Sequence, residues 1–145
     1  MRVFILFLFV AYTSQLTAQV RNGETFQKDY QIKIAKTTSP IKIDGLFDEE
    51  VWSRAQKVSS FWEKYPDDKK KAKHTTEVQT AYDDKYLYVA YTAFDSGKVF
   101  IQSLKRDVGH DGNDCVALVI DPVNTRNNGF FFVVNAYNAQ SEDQL

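Results

Sequence analysis

The amino-acid sequence predicts an all-β protein, an antiparallel β-sandwich with one short helix near residues 47–56 that is incomplete at its C-terminus. The stretch from Thr76 to Asp95 predicts two β-strands that fold back on each other at Asp83-Asp84-Lys85. Its second arm, Tyr86 to Phe94, has apolar groups on both faces, and so does Asp114 to Asp121. Such strands are typical of a sheet that is covered on both sides.

Residues 1–18 predict a secretory signal peptide. Arg2 precedes the apolar run Val3 to Tyr12, and small and polar residues lead to a cleavage site after Ala18. The apolar run is shorter than the roughly 20 residues that a membrane-spanning helix needs, so a permanent anchor is the less favoured interpretation. We therefore expect an exported protein, in the periplasm, the outer membrane or the extracellular space, with no transmembrane helix after removal of the leader.

The rest of the chain, about 125 residues, is enough for one domain. We expect residues 19–38 to form an N-terminal extension with one strand and residues 39–145 to form the sandwich. The formal net charge of −1 gives no reason to expect a nucleic-acid partner. Cys115 has no partner for a disulfide and is interpreted as a small member of a strand. The alternative, a catalytic thiol, would require His110 as its base.

Before the hairpin, alternating polarity predicts short strands at Tyr30 to Ala35 and at Ile41 to Ile43, the second ending at the turn pair Asp44-Gly45. A further strand candidate, Val58 to Trp62, precedes a run of mixed charge that is typical of a solvated loop.

Between these strands the apolar pattern changes to the period of a helix. The acidic residues Asp48 to Glu50 suit a helix N-terminus, and Val51, Trp52 and Ala55 share one face behind them. Trp52 is interpreted as a core residue beside Phe47, with a ligand platform as the alternative.

After the hairpin, the pattern predicts an edge strand at Val99 to Leu104, a central strand at Asp114 to Asp121 and a last clear strand at Phe130 to Asn135. The chain then reaches Leu145 without a closing element, which would leave an apolar strand beside an open edge. We expect the sequence to be part of a longer protein.

The order of short motifs from Ser39 onward carries a resemblance. The motifs are Pro40-Ile41-Lys42-Ile43-Asp44-Gly45, Asp48-Glu49 with Trp52, Thr76-Glu77-Val78, Tyr82-Asp83-Asp84, Leu87-Tyr88-Val89, Asp114, Ile120-Asp121 and Val134-Asn135. In this order they resemble the family 9 carbohydrate-binding module, a jelly-roll or immunoglobulin-like sandwich. Lys105-Arg106-Asp107, Asp121, Arg126 and residues 135–143 are most similar to a subgroup in which this module begins a longer secreted protein and precedes an outer-membrane-type β region.

The resemblance implies a non-catalytic module of a secreted protein that binds a polysaccharide or glycan during polysaccharide breakdown, beside a downstream domain of the same protein. Three positions depart from the sugar site of the family: Asp111, Ala117 and Val133 stand where a stacking tryptophan, an acidic partner and an arginine are expected. A structural or docking sandwich of an outer-membrane protein that has lost sugar binding is therefore an alternative. A second alternative is part of a glycoside hydrolase acting on O-glycosyl bonds.

The candidate carbohydrate-binding residues are Trp62, Tyr65, Asp111 and Tyr137. Trp62 and Tyr65 flank a loop and Tyr137 follows the last clear strand, so each can present an exposed ring to the apolar face of a pyranose. The alternative is that these rings are packing residues with a hydrogen-bonded tip.

The candidate metal ligands are Asp107, Asp111, Asn113 and Asp114, whose hard oxygens suit calcium, which the known members of the family bind. The alternative is a polar connector whose side chains cap turns. Haem is not expected, because the histidines, His74 and His110, have no methionine partner outside the leader. No nucleotide cofactor is expected either. No catalytic residue is predicted, since the acidic residues lie in turns and loops and form no evident pair for glycoside cleavage.

Overall fold

The computed structural model describes residues 30–66, 69–108 and 112–145. The predicted signal peptide and most of the predicted extension lie outside the described residues. The chain divides after Ile32, and every helix and strand of the described part belongs to the second unit, Lys33–Leu145.

The described part is mostly β-structure in two small sheets, with very little helix. In chain order its elements are β1 (Ala35–Lys36), α1 (Glu50–Arg54), β2 (Thr76–Tyr82), β3 (Leu87–Ala93), β4 (Cys115–Ile120), β5 (Phe130–Asn135) and β6 (Gln140–Gln144). The strand orders are β1-β2-β3 and β4-β5-β6. This arrangement confirms the all-β class and is compatible with a β-sandwich. No helix among the described residues has the length and apolar character needed to cross a membrane.

The first sheet corrects the expectation of purely antiparallel pairing. β2 and β3 pair antiparallel over their whole length, from Thr76 opposite Ala93 to Tyr82 opposite Leu87, so the predicted hairpin is confirmed. β1, however, pairs parallel with β2, with Ala35 opposite Ala81. A parallel pair needs a long crossover connection, and the segment that contains α1 supplies it.

The main core of the described part lies where α1 packs on the first sheet. Val51, Trp52 and Ala55 from the helical segment and Ala81 and Ala90 from the sheet form one buried cluster. The core position predicted for Trp52 is confirmed, since its side chain is 6% exposed and its ring centroid lies 5.9 Å from that of Phe47. The indole Nε1–H donates to Glu49 Oε2 at 2.9 Å, which satisfies the polar edge of the buried ring.

The C-terminus of α1 is capped from the sheet. The last carbonyls of a helix have no partner within the helix, and in a helix this short they dominate its hydrogen-bonding needs. The buried side chain of Gln79 on β2 donates through Nε2 to Trp52 O at 2.6 Å and to Ala55 O at 3.1 Å. Gln79 therefore fixes the helix to the sheet through polar contacts inside the core.

The predicted strands before the hairpin are largely wrong. Tyr30 to Ile34 and Ile41 to Ile43 form no strand, and in both segments a side chain captures a backbone N–H that a sheet would use. Lys33 N donates to Gln56 Oε1 at 2.9 Å, and Lys42 N donates to Glu49 Oε1 at 2.8 Å. Such local competition replaces a strand ladder.

Val58 to Trp62 forms isolated antiparallel bridges instead of a continuous strand. Val58 pairs with Val78, and Trp62 pairs with Lys71. The two bridges tie this segment to β2 at one end and to the lysine-rich run at the other.

The second sheet corrects the position of β4, which was predicted to be central. β5 lies in the middle, with β4 and β6 as the outer strands. β6 was not predicted, because its sequence QSEDQ has no apolar alternation; its charged and polar side chains are those expected on an exposed sheet edge. Val133 is the residue of this sheet that is buried, at 7% exposed.

The two faces of β3 are covered to different degrees, so the prediction of a strand covered on both sides holds only in part. Ala90 is buried on the side that faces α1. On the opposite face Leu87 is 47% exposed, whereas Val89 and Tyr91 are half-buried and the Tyr91 hydroxyl reaches the second sheet. The apolar pattern of a strand indicates which side chains can be buried. Which of them are buried depends on whether another layer of the fold packs against that face.

Asp83 holds the β2–β3 turn, and this predicts a pH dependence. Its Oδ1 accepts from Lys85 N and Tyr86 N, each at 2.7 Å, and its Oδ2 accepts from the Tyr88 hydroxyl at 2.8 Å. These contacts, the Lys85 N–H first, hold the pKa of Asp83 below its ordinary value. A carboxyl whose pKa is lowered by folding stabilises the fold above its unfolded-state pKa and loses that contribution as pH falls through its folded-state pKa.

We expect Asp83→Asn to lower the melting temperature at pH 7, because an amide cannot accept at both positions. The difference from the parent chain should shrink as the pH falls below about 4, where an aspartate protonates. Melting followed by circular dichroism from pH 7 to pH 3 measures this, with the exposed Asp143→Asn as a control. A difference that stayed constant with pH would refute the assignment.

Candidate functional site

The segment from Val58 to Lys71 presents an exposed tryptophan on a short antiparallel arm. Glu63 N donates to Lys70 O at 2.9 Å and Ala72 N donates to Phe61 O at 3.0 Å, on either side of the Trp62–Lys71 bridge. Residues opposite each other in a pair flanked in this way have their side chains close together on one face. Trp62 is therefore held by backbone hydrogen bonds and lies beside Lys71.

The Trp62 ring is open to solvent while its neighbour steadies it. The side chain is 49% exposed, and Lys71 Nζ lies 4.3 Å from the ring centroid. A cation at this distance interacts favourably with the electron-rich face of an indole. Because Lys71 covers one face, a ligand that stacks on this ring would use the opposite face.

The two tyrosines predicted as sugar platforms are also exposed, Tyr65 at 86% and Tyr137 at 65%. Tyr65 follows Trp62 on the same arm. Tyr137 lies in the β5–β6 turn, where Asn135 Oδ1 accepts from Tyr137 N at 3.0 Å and from Ala139 N at 2.9 Å. Tyr137 therefore lies on a different segment from Trp62 and Tyr65. Asp111 lies outside the described residues. Their sugar-binding roles stay predictions.

The oxygens predicted to bind calcium serve backbone N–H groups in the described part of their loop. Asp114 Oδ2 accepts from Phe100 N at 2.6 Å, and Asn113 Oδ1 accepts from Gln102 N at 2.7 Å. These bonds replace the strand predicted at Val99 to Leu104 with side-chain contacts. Asp107 adopts a left-handed φ of 58° and lies 3.4 Å from Arg106 Nε.

No cluster of three or more His, Cys, Asp or Glu side chains suited to a metal occurs among the described residues. Because Asp111 is not among them, calcium binding stays a prediction. The contacts that are described are those of turn-capping side chains, which is the alternative interpretation of this loop.

A groove between β3 and β4 was not foreseen. Its volume is about 480 Å³, and Tyr91, Phe94, Val116 and Val134 contribute apolar side chains to its lining. The Tyr91 hydroxyl donates to Ala117 O at 3.1 Å and so links the two sheets, and burial raises the pKa of this phenol. The apolar pattern of β3 and β4 predicted that these side chains belong to strands. The groove, however, depends on the distance between the two sheets, and a sequence pattern does not predict that distance.

Acidic and neutral polar groups also line the groove. His74 Nδ1 lies 3.7 Å from Asp95 Oδ1, and Asp114 and Asn135 belong to the same lining. The lining residues that the structure describes include no Lys or Arg. The groove therefore favours neutral or cationic groups over anions.

Cys115 also contributes to the lining and is half-buried in β4. Burial, together with the nearby Asp114 carboxylate, raises the pKa of its thiol. The thiol is therefore protonated at neutral pH, the opposite of what a nucleophilic cysteine requires. His110, the base that a catalytic thiol would need, lies outside the described residues.

Comparison with known proteins gives no relative on which to base a function. No protein-family description, no curated protein and no solved structure matches the chain.

Proposed function

We propose that this protein is a non-catalytic carbohydrate-binding module of an exported protein, with a jelly-roll or immunoglobulin-like sandwich, and that Trp62 is its stacking platform. The observation that carries the proposal is the contrast between its two tryptophans. Trp52 is 6% exposed in the core, whereas Trp62 is 49% exposed on an arm fixed by backbone hydrogen bonds.

The exposed indole leaves apolar surface unburied. An aromatic side chain can bury about 150–250 Å², so half exposure leaves roughly 100 Å², equivalent to about 2–3 kcal/mol of burial. A pyranose ring has an apolar face that can cover this surface while its hydroxyls remain accessible to polar groups. Because the arm is already ordered, little conformational entropy is lost on binding.

The resemblance to family 9 carbohydrate-binding modules supports the same function, but it does not identify the site. Trp62 is not at a position where that family stacks its sugar. The proposal therefore rests on the exposed ring, and the ligand is a polysaccharide or glycan held near a partner domain.

We expect Trp62→Ala to weaken oligosaccharide binding at least tenfold, about 1.4 kcal/mol, because the stacking surface is lost. Isothermal titration calorimetry of the chain with xylan, glucan and uronan oligomers should give a dissociation constant between about 1 μM and 1 mM for at least one of them. Trp62→Phe, which keeps a ring, should retain most of the affinity, and Tyr86→Ala, which removes an exposed ring at the β2–β3 turn, should have no effect. Flat titrations across the panel, or an unchanged affinity in Trp62→Ala, would refute the proposal.

A second candidate function is supported by the exposed apolar side chains of the second sheet. Phe130 is 46% exposed and Phe132 is 41% exposed, and their ring centroids lie 6.5 Å apart on one face of the sheet. An exposed apolar patch of this kind marks an interaction surface. We propose as the occupant an extended strand of the same cell-envelope protein whose apolar side chains cover this sheet and whose Lys or Arg meets Asp95 and Asp114 at the groove. Binding of no saccharide at all, with the chain folded, would favour this docking function.

A further inference from the structure

The arm that carries Trp62 is the basic part of a weakly acidic chain. Between Phe61 and Lys73 there are five lysines and three acidic residues, a local net charge of +2, whereas the whole chain has −1. All five lysines are exposed. They are Lys64, Lys69, Lys70, Lys71 and Lys73.

We infer that the saccharide bound at Trp62 is anionic, a uronate-bearing polysaccharide rather than a neutral glucan or xylan. The inference rests on the proposed function and specifies its ligand class. It is supported by Lys71, whose Nζ lies 4.3 Å from the centre of the Trp62 ring, and by the positive charge of the arm, which the sequence alone indicated only as a solvated loop.

The charge of Lys71 is close enough to the Trp62 ring to change the affinity for an anionic sugar measurably. Lys71 Nζ lies 4.3 Å from the centre of the Trp62 ring, so a sugar stacked about 4 Å from the open face lies about 8 Å from this ammonium, comparable to the screening length at physiological salt. One pair of opposite charges at that separation in water changes an association constant about twofold. The local net charge of +2 therefore gives a preference on the order of fourfold for an anionic ligand at low salt.

A lipid surface is the less favoured anionic partner. Interfacial binding requires apolar side chains on one face and charged side chains on the other, so that the rings enter the acyl boundary. Here Lys71 lies on the same side as Trp62 and directly over its ring. Burying the indole in lipid would draw the ammonium in with it, whereas stacking a sugar on the open face leaves it hydrated.

Hexagalacturonate and its fully methyl-esterified form test the inference, because they share a backbone and differ in charge. In calorimetric titrations at 50 mM NaCl, we expect the acid to bind about fourfold more tightly than the ester, and we expect this ratio to approach one at 300 mM. Lys64→Gln with Lys73→Gln removes the local net charge of +2 and should bring the ratio close to one at 50 mM NaCl. The matched control, Lys85→Gln with Lys98→Gln, removes the same charge from exposed positions elsewhere and should leave the ratio unchanged.

The other possible outcomes separate the anionic ligand class from the proposed saccharide-binding function. If the ester binds as tightly as the acid and Trp62→Ala weakens both, the ligand class is wrong while the proposed function stands. If neither form nor any neutral oligomer binds, the proposed function fails as well. If the acid binds equally well to Trp62→Ala, the attraction is charge alone and both claims fail. Binding to phosphatidylglycerol vesicles without binding to galacturonate would assign the arm to a membrane surface.

Discussion

Trp52→Ala should destabilise the fold by about 3–5 kcal/mol, the range for removing a buried aromatic side chain. The substitution empties the centre of the α1–sheet cluster and leaves Phe47 without its ring partner. It also removes the hydrogen bond from the indole to Glu49. Because small domains have only about 5–15 kcal/mol of stability in total, a loss of this size should remove a large share of it and lower the midpoint of unfolding markedly.

The chain offers a matched control for this prediction. Trp62→Ala removes the same side chain from an exposed position and should cost no more than about 1 kcal/mol, chiefly the contact with Lys71. Urea denaturation followed by circular dichroism gives both free energies of unfolding. Equal losses in the two variants would mean that Trp52 is not the centre of the core.

Gln79→Met should destabilise the fold by about 2–3 kcal/mol, although methionine has nearly the same shape and is more apolar. The loss arises because Trp52 O and Ala55 O, at the end of α1, would remain in the core without a donor. If Gln79 served only to fill space in the core, replacing it with an apolar residue of similar shape would leave the free energy of unfolding unchanged. The sign of the change therefore separates a capping role from simple packing.

Gln56→Met is the control, since Gln56 is exposed and accepts one backbone N–H, that of Lys33. It should change the free energy of unfolding by no more than about 0.5 kcal/mol. The far-ultraviolet circular dichroism of Gln79→Met should also show loss of helical signal before the main transition, because α1 depends on this cap. A stability equal to or higher than that of the parent chain would refute the capping role.

The sequence was most informative where one local pattern agreed with the packing around it. The β2–β3 hairpin follows from two apolar arms around Asp83-Asp84-Lys85, and the helix follows from acidic residues before Val51 and Trp52. In both cases turn or terminus chemistry and apolar period predict the same structure. Consistent local signals of this kind are what make a segment predictable.

The sequence was less informative where pairing partners or competing side chains decided the outcome. β6 carries no apolar pattern and exists because β5 offers it an edge. The segment from Tyr30 to Ile34 has a strand-like pattern but no strand, and Gln56 takes the N–H of Lys33 beside it. In the sequence Gln79 is one polar residue within a strand. The position of α1 shows that its amide is buried and donates hydrogen bonds to the end of the helix.

The candidate site was predictable only in part. The position of Trp62 beside a loop allowed either an exposed ring or a packing residue, and the ring is 49% exposed. Its pairing with Lys71 was not foreseen, because the mixed-charge run indicated only a solvated loop. The groove beside Tyr91 depends on how the two sheets are placed relative to each other. The spacing of residues along the sequence does not predict that placement.

Trp62 and the basic arm that carries it are proposed to bind an anionic saccharide. The most direct test is a ¹⁵N NMR titration of the chain with hexagalacturonate. We expect the largest shifts at the Trp62 indole N–H and at the backbone amides of Glu63 and Ala72, with the core Trp52 indole unchanged. Shifts confined to Tyr91, Val116 and Val134 at the groove, or no shifts at any concentration, would contradict the claim.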